Sequence, residues 1–208
     1  VVLVLDASAS MGTEDVQPNR FFLARNALLS LVARLSGDRF ALVAFEGEAY
    51  PLVPLTLDAD AIGLFLDTVE PGIVPAPGTS LGAGLVRGLD LFVDPARNNK
   101  VMVLGSDGED LEGEVGAAVA RAREMGVVIH AVGVGTPAGG PVPDVDDKGV
   151  RRGVKQEEDG SGPHISRLDA AALESIARAT GGTFAPLSST DTSLWQLAAA
   201  IEGMEQKT

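Results

Sequence analysis

The first ten residues place a carboxylate and two hydroxyl groups at the end of an apolar segment. Five aliphatic residues, 1–5, are followed by Asp6, Ser8 and Ser10. In a parallel α/β sheet, ligands bind at the carboxyl ends of the strands, and carboxylate and hydroxyl oxygens suit a hard divalent cation. The same spacing is also typical of a strand-to-helix turn that is capped by serines. These three residues alone therefore leave both a metal site and a plain turn open.

Two further segments carry oxygen donors that the fold would bring to the same place. Asp107 stands just past the apolar run 100–105, and Thr79 precedes a helical pattern that starts at Leu81. In a doubly wound sheet, the first and fourth strands are neighbours where the winding reverses, so Asp6 and Asp107 are expected side by side. The donors that this topology brings together are Asp6, Ser8, Ser10, Thr79 and Asp107.

The elements that position these donors follow from the hydrophobic pattern. Apolar runs bounded by turn residues alternate with amphipathic stretches, which is typical of βαβ units around a parallel sheet. We predict strands near residues 1–6, 39–45, 50–56, 100–105, 127–133 and 182–186. We predict helices over residues 19–35, 59–69, 81–92, 114–125, 169–180 and 192–204.

Local signals support several helix boundaries. Pro18 suits the first turn of the first helix, Asp58 precedes the second helix, and Asp169 or Leu168 precedes the fifth. Gly37 and Gly126 stand just past helix ends, where a left-handed backbone is favoured. These signals predict where the chain enters and leaves the helices.

One strand departs from the parallel pattern. Residues 46–48 are too few for a crossover helix, so the strands on either side form a hairpin, and Pro51 and Pro54 place the second of them at a sheet edge. We therefore predict an α/β, Rossmann-like, doubly wound fold. Its six-stranded, mainly parallel sheet has the order 3-2-1-4-5-6, strand 3 is antiparallel at the edge, and helices cover both faces. A chain of 208 residues fits one such domain.

Residues 136–167, called the excursion below, fit no regular element. They are rich in glycine and proline and then charged, and about thirty residues without a helical pattern is long for a plain loop. We predict an irregular or hairpin excursion between the fifth strand and the fifth helix. Its role is open between a solvated insertion and a binding segment.

Composition limits the classes of ligand. A formal net charge of -13 argues against nucleic acid or an anionic membrane as a partner, because phosphate binding needs a basic patch. The absence of cysteine excludes disulfides, thiolate metal sites and thiol nucleophiles. Since residue 1 already lies in a predicted strand, we expect a soluble domain taken from a longer chain, with any membrane segments outside it.

The donor segments together resemble a known family. Residues 6–10, Gly78 with Thr79, and residues 106–108 occur in the order of the metal-ion-dependent adhesion site of the von Willebrand factor type A domain. The resemblance extends over essentially the whole chain. It implies Mg²⁺, with Mn²⁺ or Ca²⁺ as alternatives, held by the five donors directly or through water. It also implies a protein partner whose acidic side chain completes the coordination of the metal.

A narrower resemblance is to the bacterial Bat, or aerotolerance-type, branch of this family. It is carried by residues 14–20, 35–39, 54–56, 129–137 and 173–182. It implies a membrane-anchored protein of the bacterial cell envelope. Such a protein would act with a MoxR-type AAA+ ATPase in stress tolerance or complex assembly.

Four carboxylates follow the two aspartate motifs closely: Glu14, Asp15, Glu109 and Asp110. We predict that they form an acidic rim for a partner, although a set of solvated loop charges has the same pattern. Such a rim repels an acidic partner over a Debye length, about 8 Å in physiological salt. The rim should therefore favour the metal more than the partner.

Catalysis has weaker support in the sequence. His130 and His164 lack a partner at metal or triad spacing, so we predict no enzyme. One alternative is a magnesium-dependent phosphoryl transferase with Asp6 as nucleophile. Haloacid-dehalogenase-like hydrolases carry a second aspartate two residues later, where this chain has Ser8. A third hypothesis is an interaction domain that binds through the excursion without metal.

Overall fold

A computed structural model of the protein describes residues 1–35, 37–72, 78–93, 99–110, 113–146, 150–187 and 192–205. The strands in this part of the chain are β1 (Val2–Asp6), β2 (Phe40–Phe45), β3 (Ala49–Thr56), β4 (Lys100–Ser106), β5 (Val127–Gly133), β6 (Gly140–Pro141), β7 (Pro143–Val145), β8 (Arg151–Val154), β9 (Ile165–Ser166) and β10 (Phe184–Pro186). The α-helices are α1 (Arg20–Arg34), α2 (Ala59–Thr68), α3 (Leu81–Asp90), α4 (Val115–Glu124), α5 (Ala170–Ala179) and α6 (Thr192–Glu205), and a 3₁₀ helix spans Ala9–Gly12.

The main sheet has six strands in the order β10-β5-β4-β1-β2-β3. The predicted order is confirmed, with β10 as the sixth strand. Every neighbouring pair is parallel except β2 with β3, which form the predicted hairpin. Strand β1 lies between β2 and β4, so the carboxyl ends of β1 and β4 meet at the point where the winding reverses. This placement brings Asp6 and Asp107 to one edge of the sheet.

Side chains of β1 pack against helices on both faces of the sheet. Leu3 and Leu5 belong to the core that contains buried residues of α1, α2 and α6. Val2 and Val4 belong to the core that contains buried residues of α3, α4 and α5. A strand that is buried on both faces carries a continuous apolar run and not an alternating one, which explains the sequence of residues 1–5.

The helix-start signals hold with one correction. Asp58 and Asp169 cap α2 and α5, and their side chains accept hydrogen bonds from Ala61 N and Ala172 N at 3.0 and 2.9 Å. The prediction for Pro18 is wrong, because α1 begins later. Its cap is Asn19, whose side chain accepts a hydrogen bond from Phe22 N at 2.8 Å. Pro18 therefore precedes the cap and lies outside the first turn of α1.

The excursion contains two short antiparallel strand pairs. Strand β6 pairs with β9, and β7 pairs with β8, while an isolated bridge joins Gln156 and Pro163. Residues 147–149 of the excursion lie outside the described residues. The excursion folds back toward the end of β1, since a Cβ atom on Gly12 would lie 2.7 Å from Pro143 Cγ. The excursion is thus packed next to the predicted donors.

No helix within the described ranges combines the length and apolar character that crossing a membrane requires.

Two glycines at the end of β4 should respond oppositely to alanine. At Gly105 an added Cβ would make ordinary contacts, 3.7 Å from Ala24 Cβ and from Leu5 Cδ1. We expect Gly105→Ala to raise the free energy of unfolding by about 0.5–1 kcal/mol, because it restricts the unfolded chain. Gly108 has φ +84°, and an added Cβ would lie 2.5 Å from Asp169 O, so Gly108→Ala should destabilise the fold. Urea unfolding measures both, and equal effects would contradict this account.

Candidate metal centre

Asp6 is held in one orientation at the end of β1. Its side chain is fully buried. Ser8 N donates to Oδ1 at 2.9 Å, and Ser106 Oγ donates to Oδ2 at 2.6 Å. Each carboxylate oxygen has a second lone pair that can face a metal or a bound water. The strand end therefore presents an oriented carboxylate.

Three hydroxyl groups lie at the same edge of the sheet. Ser8 Oγ and Ser10 Oγ are 3.0 Å apart in the turn that enters the 3₁₀ helix. Thr79 is buried and directly precedes Ser80, whose side chain caps α3 by accepting from Ala83 N at 3.2 Å. Thr79 is therefore positioned by the start of a helix that packs on β1 and β2.

Asp107 is the second buried carboxylate, directly after β4. Its Oδ1 accepts from Glu109 N at 3.1 Å, which closes a tight turn. Ser106 links the two aspartate loops, because its Oγ accepts from Gly108 N at 2.9 Å while it donates to Asp6. The left-handed backbone of Gly108 allows this turn to form.

The two carboxylates sit in an environment that opposes their ionisation. Burial and the negative charge of Asp107 together raise the pKa of Asp6 to about 7, against the opposing effect of hydrogen bonds from Ser106 and Ser8. Burial also raises the pKa of Asp107, against the effects of a hydrogen bond from Ser10 and the charge of Arg20. Without a cation, the site therefore holds more buried negative charge than its own contacts compensate.

The chemistry of the donors fits a hard divalent cation. The described residues contain no group of three or more His, Cys, Asp or Glu side chains arranged to hold a metal ion. Three of the five predicted donors are hydroxyls instead, and Mg²⁺ readily binds a few carboxylate or neutral oxygens while it keeps several waters. Hydrogen bonds connect Asp6, Ser8 and Ser10, Ser106 links Asp6 to the loop that carries Asp107, and Thr79 lines the same cleft as Ser10. The assignment of the five as metal ligands stays a prediction.

Arg20 is the residue of this site that sequence analysis missed. Its side chain is fully buried in the first turn of α1. Nη1 donates to Asp107 Oδ2 at 2.8 Å, and Nε and Nη2 donate to both oxygens of Asp15 at 2.8 and 2.9 Å. A lone arginine on an amphipathic helix usually lies on the solvated face. The available signal was its place as the last residue of segment 14–20, which resembles the Bat branch.

The same guanidinium connects the metal-site edge to the excursion. Arg20 donates to Ser166 Oγ at 2.6 Å and to Ser166 O at 3.0 Å, near the end of the excursion. Asp15 accepts from Thr136 N and Thr136 Oγ1 at 2.8 and 3.0 Å, at its start. One buried cation therefore fixes Asp107 and both ends of the excursion relative to one another.

The four predicted rim carboxylates have different surroundings. Glu14 is exposed and pairs with Arg151 at 2.7 Å. Glu109 accepts from Ser166 Oγ at 2.8 Å, and Asp110 accepts from Leu81 N at 3.2 Å. Asp15 lies beneath the rim and not on it, because its carboxylate accepts hydrogen bonds from Arg20 and Thr136. Burial by itself raises the pKa of the Asp15 carboxyl, but hydrogen bonds from Arg20 and Thr136 and the charge of Arg20 outweigh it and lower the pKa.

A cleft of about 730 Å³ opens above the candidate metal centre. One side is formed by Ser10, Thr79, Glu46 and neighbouring residues of the sheet edge, and the facing side is formed by the excursion. The excursion residues that line the cleft are Val142, Asp144, Val145, Lys155, Gln156, Glu157, Glu158, Asp159 and His164. A ligand of the metal would therefore also contact the excursion.

The two histidines lie in different surroundings, one within the sheet and one at the cleft. His130 is buried in β5, where its Nδ1 accepts from Thr183 N at 3.1 Å, and its Nε2 has no hydrogen-bond partner within the described part of the chain. Burial lowers the pKa of His130 to about 4. His164 lies at the cleft and contacts Glu157 at 3.0 Å.

Comparison with known sequences supports the predicted family. The sequence profile of the von Willebrand factor type A domain matches residues 1–160. A UPF0353 protein of Mycolicibacterium paratuberculosis is 32% identical over 197 residues, which cover 81% of this chain and 56% of that protein. The chain thus spans little more than half the length of this curated relative.

Two solved structures are similar over their full length. BatB of Bacteroides thetaiotaomicron superposes with a TM-score of 0.88 at 26% identity, covering 99% of this chain and 98% of that chain. An aerotolerance-related membrane protein of Bacteroides fragilis gives the same TM-score and identity, covering 97% and 98%. The predicted resemblance to the Bat branch is confirmed.

Removal of the buried guanidinium should cost far more than removal of an exposed one. We expect Arg20→Met to lower the free energy of unfolding by about 3 kcal/mol or more, because it leaves two buried carboxylates without their cation. Arg121→Met removes an exposed ion pair to Asp90 and should cost less than about 1 kcal/mol. Urea unfolding measures both variants. Hydrogen exchange in β6 and β9 should also become faster in Arg20→Met alone, and similar costs for the two substitutions would contradict the role of Arg20.

His130 should make the fold sensitive to acid. Since its pKa is about 4 in the folded state and 6.5 is the ordinary value, the unfolded chain takes up a proton first as the pH falls. The neutral form of His130 therefore contributes fully to the free energy of unfolding above pH 6.5. This contribution should be smaller by about 2 kcal/mol at pH 5. Unfolding free energies at pH 7.5 and 5.0 should therefore differ less in His130→Asn than in the wild type. His164→Asn serves as the matched control, and an unchanged pH dependence in His130→Asn would disprove the assignment.

Proposed function

Since the chain belongs to the von Willebrand factor type A domain family, we propose that it is a metal-ion-dependent protein-interaction module and not an enzyme. The observation that carries this proposal is the pair of buried carboxylates, Asp6 and Asp107, beside the hydroxyls of Ser8 and Ser10. Burial of such a pair is costly without a cation. The adjoining cleft gives a protein partner access to this edge of the sheet.

Each donor has a defined role in this proposal. The hydroxyls of Ser8, Ser10 and Thr79 supply neutral oxygens, and Asp6 and Asp107 bind the ion directly or through water. Because few ligands are anionic, the ion remains electrophilic and can accept a carboxylate from a partner. Mg²⁺ suits this set best, and Mn²⁺ or Ca²⁺ are alternatives.

We further propose a role in the bacterial cell envelope. The likeness to BatB and to an aerotolerance-related membrane protein supports this proposal, since both are covered almost completely by this chain. The domain would belong to a membrane-anchored protein, with the membrane segments outside this chain. A MoxR-type AAA+ ATPase is the proposed partner, in stress tolerance or complex assembly.

Isothermal titration with Mg²⁺ and Mn²⁺ tests the metal centre. We expect binding by the wild type and at least about tenfold weaker binding by Ser10→Ala and by Thr79→Ala, because each substitution removes one oxygen ligand. Ser175→Ala on α5 is the matched control and should bind like the wild type. A folded wild-type chain that binds neither ion at millimolar concentration would contradict the proposal.

A phosphatase assay separates this module from the enzyme alternative. We expect no turnover of phosphate esters by the wild type with Mg²⁺, since the chain has Ser8 where a phosphoryl transferase of that kind has a second aspartate. Turnover that Asp6→Asn abolishes would favour the phosphoryl transferase.

A further inference from the structure

We propose that the excursion forms the wall of the cleft that selects the partner, and that it accepts a segment in which one carboxylate is flanked by lysine or arginine. This inference rests on the proposed function, because the carboxylate is the group that would reach the metal. It adds the chemistry of the flanking residues.

The cleft has two sides of different composition. The sheet edge contributes the predicted metal donors Ser10 and Thr79, with Glu46 and Glu109 beside them. The excursion contributes three consecutive carboxylates, residues 157–159, which we call the acidic wall. A partner segment that reaches the donors enters the cleft that this wall also lines, which has a volume of about 730 Å³. That volume suits a few side chains of a bound segment.

Negative charge predominates among the residues around the cleft. The acidic residues that line it are Glu46, Glu109, Asp144, Glu157, Glu158 and Asp159, whereas Lys155 is the only lysine or arginine among the described lining residues. Glu158 and Asp159 are exposed, and Glu158 has no hydrogen-bond or ion-pair partner among the residues that the structure describes. Fixed carboxylates at a cleft attract cationic groups and repel anionic ones.

This charge distribution limits which partner carboxylates can reach the ion. A partner carboxylate is attracted by the ion but repelled by the acidic wall, and a segment with several carboxylates is repelled more strongly. A segment with a single carboxylate between basic side chains avoids this repulsion. Its carboxylate binds the ion, and its basic groups pair with the carboxylates of the wall. Complementary charge of this kind also excludes unsuitable partners.

The acidic wall is held in place and not loosely attached. Lys155 N donates to Val142 O at 2.8 Å, and His164 N donates to Lys155 O at 2.8 Å, so the strands on either side of the wall are paired. Glu157 N donates to Gly162 O at 2.9 Å, which closes the turn that carries the wall. Arg20 anchors Ser166 at the end of the excursion. A wall that is ordered in advance can discriminate among partners.

Three acetylated and amidated peptides provide the test: Gly-Lys-Lys-Asp-Lys-Lys-Gly, the same peptide with a central Asn, and Gly-Glu-Glu-Asp-Glu-Glu-Gly. Each is titrated into the ¹⁵N-labelled chain with saturating Mg²⁺ at physiological salt, and amide chemical shifts give the affinity. We expect the lysine-flanked Asp peptide to bind at least about tenfold more tightly than the glutamate-flanked peptide. The central Asn should weaken binding, and omission of Mg²⁺ should remove the difference between Asp and Asn.

A matched pair of variants assigns the preference to the wall. The triple variant Glu157→Gln, Glu158→Gln, Asp159→Asn should lose most of the preference for lysine-flanked peptide. The triple variant Asp60→Asn, Asp67→Asn, Glu124→Gln changes the net charge equally on α2 and α4 and should keep it. Mg²⁺ titration of both variants confirms that the metal centre is intact.

The outcomes separate this inference from the function on which it rests. Absence of Mg²⁺ binding contradicts the proposed function, and equal binding of the Asp and Asn peptides with Mg²⁺ bound contradicts the metal bridge. If the glutamate-flanked peptide binds as tightly as the lysine-flanked Asp peptide, or more tightly, the proposed selection by the acidic wall is wrong, while the proposed function stands. An equal loss of preference in both triple variants, or no peptide binding at millimolar concentration with Mg²⁺ bound, also overturns this selection.

Discussion

The burial of two carboxylates at one edge of the sheet is the constraint on which the rest of this structure depends. Asp6 and Asp107 end adjacent parallel strands, and both are inaccessible to solvent. Burial and mutual repulsion raise the pKa of Asp6, and burial raises that of Asp107. A fold retains such a pair only where hydrogen bonds and cations compensate the charge. The hydroxyls of the site and Arg20 supply part of this compensation, and a divalent ion would supply more.

Arg20 makes this compensation a link between parts of the molecule that are distant in sequence. Its guanidinium contacts Asp107 at the sheet edge, Asp15 in the preceding loop and Ser166 at the end of the excursion. The planar group has five N–H donors, so it can bridge several acceptors where a lysine could not. The wall of the cleft is therefore positioned by the same cation that positions a predicted metal ligand. The predicted metal ligand Asp107 and the proposed acidic wall therefore share one buried support.

The sequence was informative where local signals and topology agreed. Asp6 follows a fully apolar run and Asp107 follows another, and the doubly wound order alone makes these strands neighbours. Helix caps such as Asp58 and Asp169 could be predicted because their role is local. The burial of Arg20 could not be predicted in this way, because it depends on a contact with Ser166, which lies 146 positions further along the chain. The position of Asp15 also depends on a distant residue, Thr136. Asp15 was therefore predicted to lie on the rim, although its carboxylate is bound by Arg20 and Thr136 below it. The position of the excursion over the donors likewise depends on long-range contacts that no local pattern specifies.

The central claim is that a divalent ion binds where the ends of β1 and β4 meet. Crystals grown or soaked with Mn²⁺ test it most directly, because the anomalous scattering of manganese distinguishes the ion from water and from lighter ions. The account predicts one strong anomalous peak within coordination distance of Ser8 Oγ, Ser10 Oγ and Thr79 Oγ1, with Asp6 and Asp107 bound directly or through water. No peak at this position, or a peak only at the exposed carboxylates of the excursion, would contradict it.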